Sequence, residues 1–375
     1  MSVIMSSDEG RPAATRNRGR VSRRAMLGAV GGSVAAFAGC LSGGGGSGAD
    51  SLTVSVYGGA YGNVFEETVA AAYEEETGTT VNVSKAWSNR VSKLRSASQG
   101  DGDPPYDLIG LSGFNYLTAR NEELLTPVRY ENVPNAEMVW PFFREYRTDE
   151  YGVPGEGGVL GIVYKDDSPH ATTWSEFMEV DAPAGMNGGY WKNPLLIAAL
   201  LTDEAEGVGE IYDPAMHDAM FSTLEQLSEN IATWYRGGAD VWSALGGGTI
   251  DYGAFYYASG LAGIDSRPDS NYQMVLPETS PGYFTNFCVT NTDKRDEAER
   301  FLDFMLRTDI QTAWNQNGYY VPANQNVAGD YAERLQGVYP ESNDEMESFF
   351  IIGNAEELSP YQSDLSDRFT EITTQ

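Results

Sequence analysis

LTVSVYGGAYGNVFEETVAAAYEEETGTTVNV, residues Leu52 to Val83, reads as a strand, a glycine-broken turn, a helix and the start of a second strand. Strand-like runs recur at Asp107–Leu111, Val159–Tyr164, Tyr252–Tyr257, Tyr272–Leu276 and Phe284–Thr290, and helical patterns fill the gaps. The clearest helix is predicted over Asp293–Gln316, where Phe301, Phe304, Met305, Ala313 and Trp314 recur on one face. Thr292 can cap its start and Gly318 marks its end. Another is predicted over Pro214–Trp234, with Met216, Met220, Leu224, Leu227 and Ile231 on one side. Strands alternating with helices imply an α/β chain whose sheets are mostly parallel and covered on both faces. No repeat of solenoid period is present.

In such sheets ligands sit beyond the carboxyl ends of the strands, which makes Tyr57–Asn63 a ligand-facing turn if the first strand is central. Its glycines, Gly58, Gly59 and Gly62, suit a phosphate cradle at a helix start, but the spacing puts Gly58, Ala60 and Asn63 at the dinucleotide positions. No Lys followed by Ser or Thr lies in the turn, which argues against a nucleotide loop. The alternative is a tight turn with Tyr57 and Tyr61 packed on the sheet edge.

The residues ahead of Leu52 have another character. Six arginines (Arg11, Arg16, Arg18, Arg20, Arg23 and Arg24) precede an apolar stretch from Ala25 to Phe37, too short to span a membrane. Ser22–Leu27 resembles a twin-arginine export signature, and Ala38–Cys40 a lipobox whose thiol, Cys40, is lipidated on cleavage. Residues 1–40 are therefore expected to be a signal peptide, and 41–51 a Gly/Ser tether holding a soluble domain at the outer membrane face.

The chain has 54 acidic and 24 basic residues; without the leader's six arginines and two acids, 52 face 18, a net −34. That excess argues against nucleic acid and against a cationic lipid-binding patch. The acids are scattered, as on a solvated surface, and the composition resembles that of proteins from extreme halophiles. A surface carboxylate is then weak testimony for a cation site.

After Cys40 only Cys288 remains, so no disulfide framework forms, and a buried inert thiol is expected. The two histidines, His170 and His217, match no metal or triad spacing, and His217 is expected to be an exposed or capped helical residue. Gly110–Phe114 begins like a nucleophile elbow but has Phe114 in place of the closing glycine. An exported hydrolase is the competing class, without a supporting motif. Asn82 lies in an Asn-Val-Ser sequon that permits glycosylation.

Several stretches carry a family likeness. VFEETVAAAYEEETGTTVNV, PYDLIGLSGFNYLTARNEELLTPV, GVPGEGGVLGIVYKDD with TTWSEF, and DEAERFLDFMLRTDIQTAWNQNGYYVPAN resemble, in this order, solute-binding lipoproteins of ABC importers, nearest to the spermidine/putrescine-binding group. The resemblance implies a type II periplasmic-binding-protein fold, with one lobe from 52–157 plus 284–318 and the other from 158–283 plus 319–375. It further implies no cofactor, a monomer, a membrane permease as partner, and closure about crossings near Gly155–Val159, Pro281–Tyr283 and Tyr319–Asn324.

Carried over residue by residue, the likeness places Tyr57, Tyr61, Ser112, Phe114, Asn115, Tyr116, Tyr256, Phe284, Asn286 and Tyr319 at the ligand. Rings would flank a methylene chain and carboxylates would hold its ammonium ends. Asn286 stands where the group has an aspartate, and an amide cannot neutralise an ammonium; Asp251 is a candidate replacement. A neutral, zwitterionic or other organic solute therefore stays open beside a polyamine. The segment GTIDYGAFYYASG also resembles ferric-binding receptors, for which Tyr256 and Tyr257 would be the phenolate ligands if the strand bends between them. Tyr61→Ala is expected to weaken binding with little loss of thermal stability.

Overall fold

The computed structural model describes residues 51–100, 102–146, 150–202 and 211–374. The signal peptide, Cys40 and all of the tether except Ser51 lie outside these residues; Ser51 itself opens the first strand.

The strands are β1 (Ser51–Val56), β2 (Thr80–Lys85), β3 (Leu108–Leu111), β4 (Leu125–Thr126), β5 (Val153–Lys165) and β6 (Ala184–Asn187). They continue with β7 (Ile231–Tyr235), β8 (Tyr252–Tyr256), β9 (Tyr272–Val275), β10 (Ser280–Thr290), β11 (Val321–Pro322) and β12 (Phe350–Ile351). The main path runs β2-β1-β3-β10-β5-β8-β6-β7. Each end is a parallel block: β1 pairs in parallel with β2 and β3, and β6 with β7 and β8. The middle is antiparallel, because β10 runs against both β3 and β5, and β5 runs against β8. The fold is thus α/β with a mixed sheet, its parallel blocks at the two ends, and the short β12 adds a parallel pairing to β10 between them.

The long β5 joins the ends. Val153–Val159 pairs with β10, and Leu160–Tyr164 pairs with β8. Its glycines allow close approach: a Cβ on Gly158 would stand 2.6 Å from the Tyr283 hydroxyl oxygen. Of the expected crossings, two pair directly here, Gly282 with Val159 and Tyr283 with Gly158, and Val321 of β11 faces Gly157.

Separate cores lie on either side of this junction. The first gathers Phe65, Tyr73, Phe287, Phe301 and Trp314; the second gathers Phe177, Leu195, Met220, Leu224 and Phe369. Core membership differs from the expected division at several segments: Phe114 and Leu117 pack into the second core, and Tyr257, Ala258 and Leu261 into the first. Tyr320, Val327, Tyr339 and Phe350 also pack into the first core, while Ile351, Ala355 and the residues from Leu358 onward reach the second.

Two long helical patterns divide. Asp293–Gln316 becomes the helices Arg295–Met305 and Thr308–Gly318, with Arg307 extended at φ −60°, ψ 145° between them. Pro214–Trp234 becomes a short 3-10 turn, the helix His217–Ser228, and then β7, which takes Ile231 and Trp234. His217 is buried, its Nε2 2.8 Å from the Ile211 carbonyl oxygen, because it starts the helix on the face turned to the second core. Cys288 is buried in the first half of the sheet, as expected. No described helix is long and apolar enough to cross a membrane.

Candidate functional site

The six strands of the two parallel blocks deliver their carboxyl ends to one cavity of about 390 Å³. Tyr57 follows β1, Trp87 lies two residues beyond β2, and Ser112 follows β3. From the other end of the sheet come Asn187 of β6, Arg236 after β7 and Tyr256 of β8, while Tyr283, Phe284 and Asn286 of β10 line the space between. The location follows from parallel pairing, which points every strand of a block the same way.

The opening turn is shaped for rings. Gly59 precedes the helix Ala60–Phe65 at φ 73°, a left-handed value that side chains rarely adopt. Tyr57 stands half-buried with its hydroxyl 2.9 Å from Ser112 Oγ. The Arg90 guanidinium lies 4.0 Å from its ring centroid, held from behind by the Ser55 and Gly110 carbonyls. Trp87, 39% exposed, is 5.8 Å from the Tyr57 ring and near-parallel to Tyr256 at 6.3 Å and 25°. Tyr61 is at the back of the wall: it is buried against Trp314 and Tyr320, and its hydroxyl donates to Glu156 Oε1 at 3.1 Å.

Other contacts also link the two sides. Phe114 packs on Trp191 at 5.4 Å, and Arg120 meets Glu356 at 3.3 Å. Gly113, at φ 51°, leaves room for the Tyr190 hydroxyl, which a Cβ would strike. Lys192, the first residue of the helix Lys192–Leu201, is buried and donates to the Gly353 carbonyl at 3.1 Å. Burial pushes its ammonium down to about 8. Desolvation likewise raises the Tyr256 and Tyr283 phenols, which holds both neutral.

Tyr57, Tyr61, Ser112, Asn115, Tyr116, Tyr256, Phe284 and Asn286 of the expected ligand residues come together on this cavity. Three are elsewhere. Phe114 turns into the second core. Asp251 precedes β8 and pairs with Lys165 at 3.3 Å, at the end of the strand opposite Tyr256. Tyr319 caps the helix Thr308–Gly318 and donates to Asp265 at 2.6 Å, beside Arg334.

The adjacent pair Tyr256 and Tyr257 does not converge. β8 ends at Tyr256, and Tyr257 opens a helix and points into the first core, 6.4 Å from the Tyr339 ring. No described cluster of three His, Cys, Asp or Glu suits a metal. Neither histidine lines the cavity; His170 stacks on Tyr164 at 3.8 Å. Asn82 is exposed on β2.

Sequence reasoning missed Trp87, Asn187, Tyr190, Lys192, Asn193 and Arg236. Trp87 was within reach of the strand-end rule that singled out Tyr57. The others end or follow β6 and β7, neither of which the pattern exposed.

A mixed α/β sheet with a cavity at its strand ends, between separate cores, defines a ligand-binding protein of type II periplasmic-binding-protein architecture. Residues 68–335 match the model of the bacterial extracellular solute-binding protein family, and the chain belongs to that family. That family is one of extracellular solute-binding proteins and not an enzyme family. No curated protein sequence matches it.

Solved structures share the fold at low identity. The spermidine/putrescine substrate-binding protein PotD of Streptococcus pneumoniae, in complex with calcium and HEPES, is 18% identical at TM-score 0.66, covering 86% of this chain and 99% of that one. MotA of A. tumefaciens B6, in complex with glucopine, is 14% identical at TM-score 0.72, with the same coverages. A GABA receptor is 17% identical at TM-score 0.70, covering 86% of this chain and 97% of the other.

Proposed function

We propose that the chain is the receptor of an ABC importer, exported by the twin-arginine route and anchored through Cys40. It captures a small organic solute by closure of two lobes about β5 and β10 and presents the closed form to a permease. The observation that carries this reading is the meeting of six strand ends, from two separately packed cores, at one ring-lined cavity. Closure stabilised by ligand is a population shift, so ligand must touch both sides, and residues from both sides line the cavity.

A polyamine is the second reading, supported by the rings of Tyr57, Trp87 and Tyr256 on the cavity wall, whose faces suit the methylenes and ammonium groups of such a chain. The ferric reading loses its adjacent phenolate pair to the divergence of Tyr256 and Tyr257. A thermal-shift panel of polyamines, amino acids, sugars and Fe(III) in multimolar salt, with small-angle scattering on any hit, tests the proposal. One solute class should raise the melting temperature and reduce the radius of gyration. Turnover of a substrate without either change would instead indicate the exported hydrolase.

A further inference from the structure

We propose that the captured solute carries a single carboxylate and that Lys192 neutralises it; this rests on the receptor reading above. The first support is the sign of the cavity. Beyond residue 40 the chain has 52 acids and 18 basic residues, yet the cavity is lined by Arg120, Lys192 and Arg236 against Glu356 alone. Glu356 is already engaged by Arg120. A polyamine would bring positive charge to a wall that is positive already.

The second support is Lys192 itself. It is 3% exposed, and among the described residues no carboxylate forms an ion pair with it. An ammonium has three donors, and the Gly353 carbonyl takes one. Leaving a buried cation without a counter-charge is costly, and the first turn of a helix is the wrong end of the dipole for a lysine. The Gly353 carbonyl and the Tyr190 ring, 5.7 Å from Nζ, do not supply that counter-charge. An anion in the cavity does, and the helices Gly113–Asn121, Lys192–Leu201 and Gly238–Gly247 all begin at its wall with N–H groups to offer.

The remaining groups narrow the class. Arg236 is exposed and Arg120 is paired, so one buried cation matches one negative charge, whereas a phosphate calls for a bidentate arginine or several cations. Asn286 is buried at the cavity with its Oδ1 unpartnered, a place for a neutral polar group of the same ligand. The rings of Tyr57, Trp87, Tyr190 and Tyr256 cover an apolar body.

The test uses the full chain in multimolar potassium chloride, with melting curves and titration calorimetry. Probes are benzoate, phenylalanine, proline and 4-aminobutyrate, each paired with its primary amide, together with putrescine, inorganic phosphate and trehalose. At least one acid is expected to raise the melting temperature and to bind roughly ten- to a hundredfold more tightly than its amide. Lys192→Met should bind acid and amide alike while melting no lower than wild type without ligand, and Lys192→Arg should recover part of the preference. A shift with putrescine or trehalose and none with an acid overturns the inference and leaves the receptor reading intact. Response to phosphate alone overturns the carboxylate class. A Lys192→Met protein that still prefers the acid makes Lys192 a strut for Gly353 and nothing more. No shift with any probe overturns the inference and the receptor reading together.

Discussion

Replacing Glu156 with glutamine tests whether the junction between the two halves of the sheet holds a carboxyl group under strain from burial. Glu156 lies on β5, opposite Thr285 of β10 and Pro322 of β11, and is 1% exposed. Its Oε1 accepts from Tyr61, and its Oε2 has no partner. Burial pushes its pKa up to about 7 from an ordinary 4.5. The folded chain therefore keeps a proton that the unfolded chain releases. That contribution to stability is complete below about pH 4.5 and is lost as pH rises through about 7.

The difference between those two values corresponds to roughly 3 kcal/mol at alkaline pH, an upper figure for a group that can relax or admit water. Glutamine has nearly the same shape and never ionises. Glu156→Gln should match wild type within about 1 kcal/mol near pH 5 and exceed it by up to about 3 kcal/mol near pH 8.5, a few degrees in melting temperature for a chain of this size. Thermal melts of both proteins across that pH range, at constant high salt, provide the assay. Parallel curves would refute the reasoning, since they would mean that the carboxylate is solvated or paired in the folded protein.

Tyr61→Ala should lower stability by about 3 to 5 kcal/mol in denaturant titration, because the ring is buried among Trp314 and Tyr320; this replaces the expectation of a thermally silent change, which a wild-type melting curve for the variant would restore. Trp87→Ala, at a 39% exposed position, should leave free-protein stability within about 0.5 kcal/mol. The same change should weaken solute binding roughly three- to tenfold by calorimetry, and unchanged affinity would remove the ring from the site. Lowering the salt from multimolar to about 0.1 M lengthens the screening distance from about 3 to about 10 Å, so a chain of net charge −30 should melt at a lower temperature; a flat response would count against charge repulsion as a determinant of its stability.

The first half of the sheet was legible because each of its parallel strands stands alone between glycine-rich or polar turns. β1, β2 and β3 fall within a residue or so of their expected places. Elsewhere tertiary packing erased the local signal. The helices Arg295–Met305 and Thr308–Gly318 bury their apolar faces in the same core, so hydrophobic spacing runs unbroken across the corner at Arg307. Ile231 and Trp234 continue the spacing of the preceding helix, yet they follow a turn at Glu229–Asn230 and belong to β7. β6 is four residues, Ala-Gly-Met-Asn, with no β-branched member to mark it.

The site divides along the same line. Strand-end reasoning reaches Tyr57, Ser112 and Tyr256 because their strands are visible, and it fails at Asn187 and Arg236 because theirs are not. Asp251 shows why nearness in sequence is a poor guide: five residues of extended chain separate it from Tyr256 by roughly 16 Å, so the two face opposite ends of the sheet. Lys192 is the harder case. Nothing around it in the sequence distinguishes a buried lysine from a solvated one, since the segment that covers it, near Gly353, lies some 160 residues away. What composition does offer is scarcity, with 18 basic residues against 52 acids beyond the leader. In a chain that uses cations so seldom, one placed out of water, at the wrong end of a helix and beside a cavity, has a ligand as its most economical explanation.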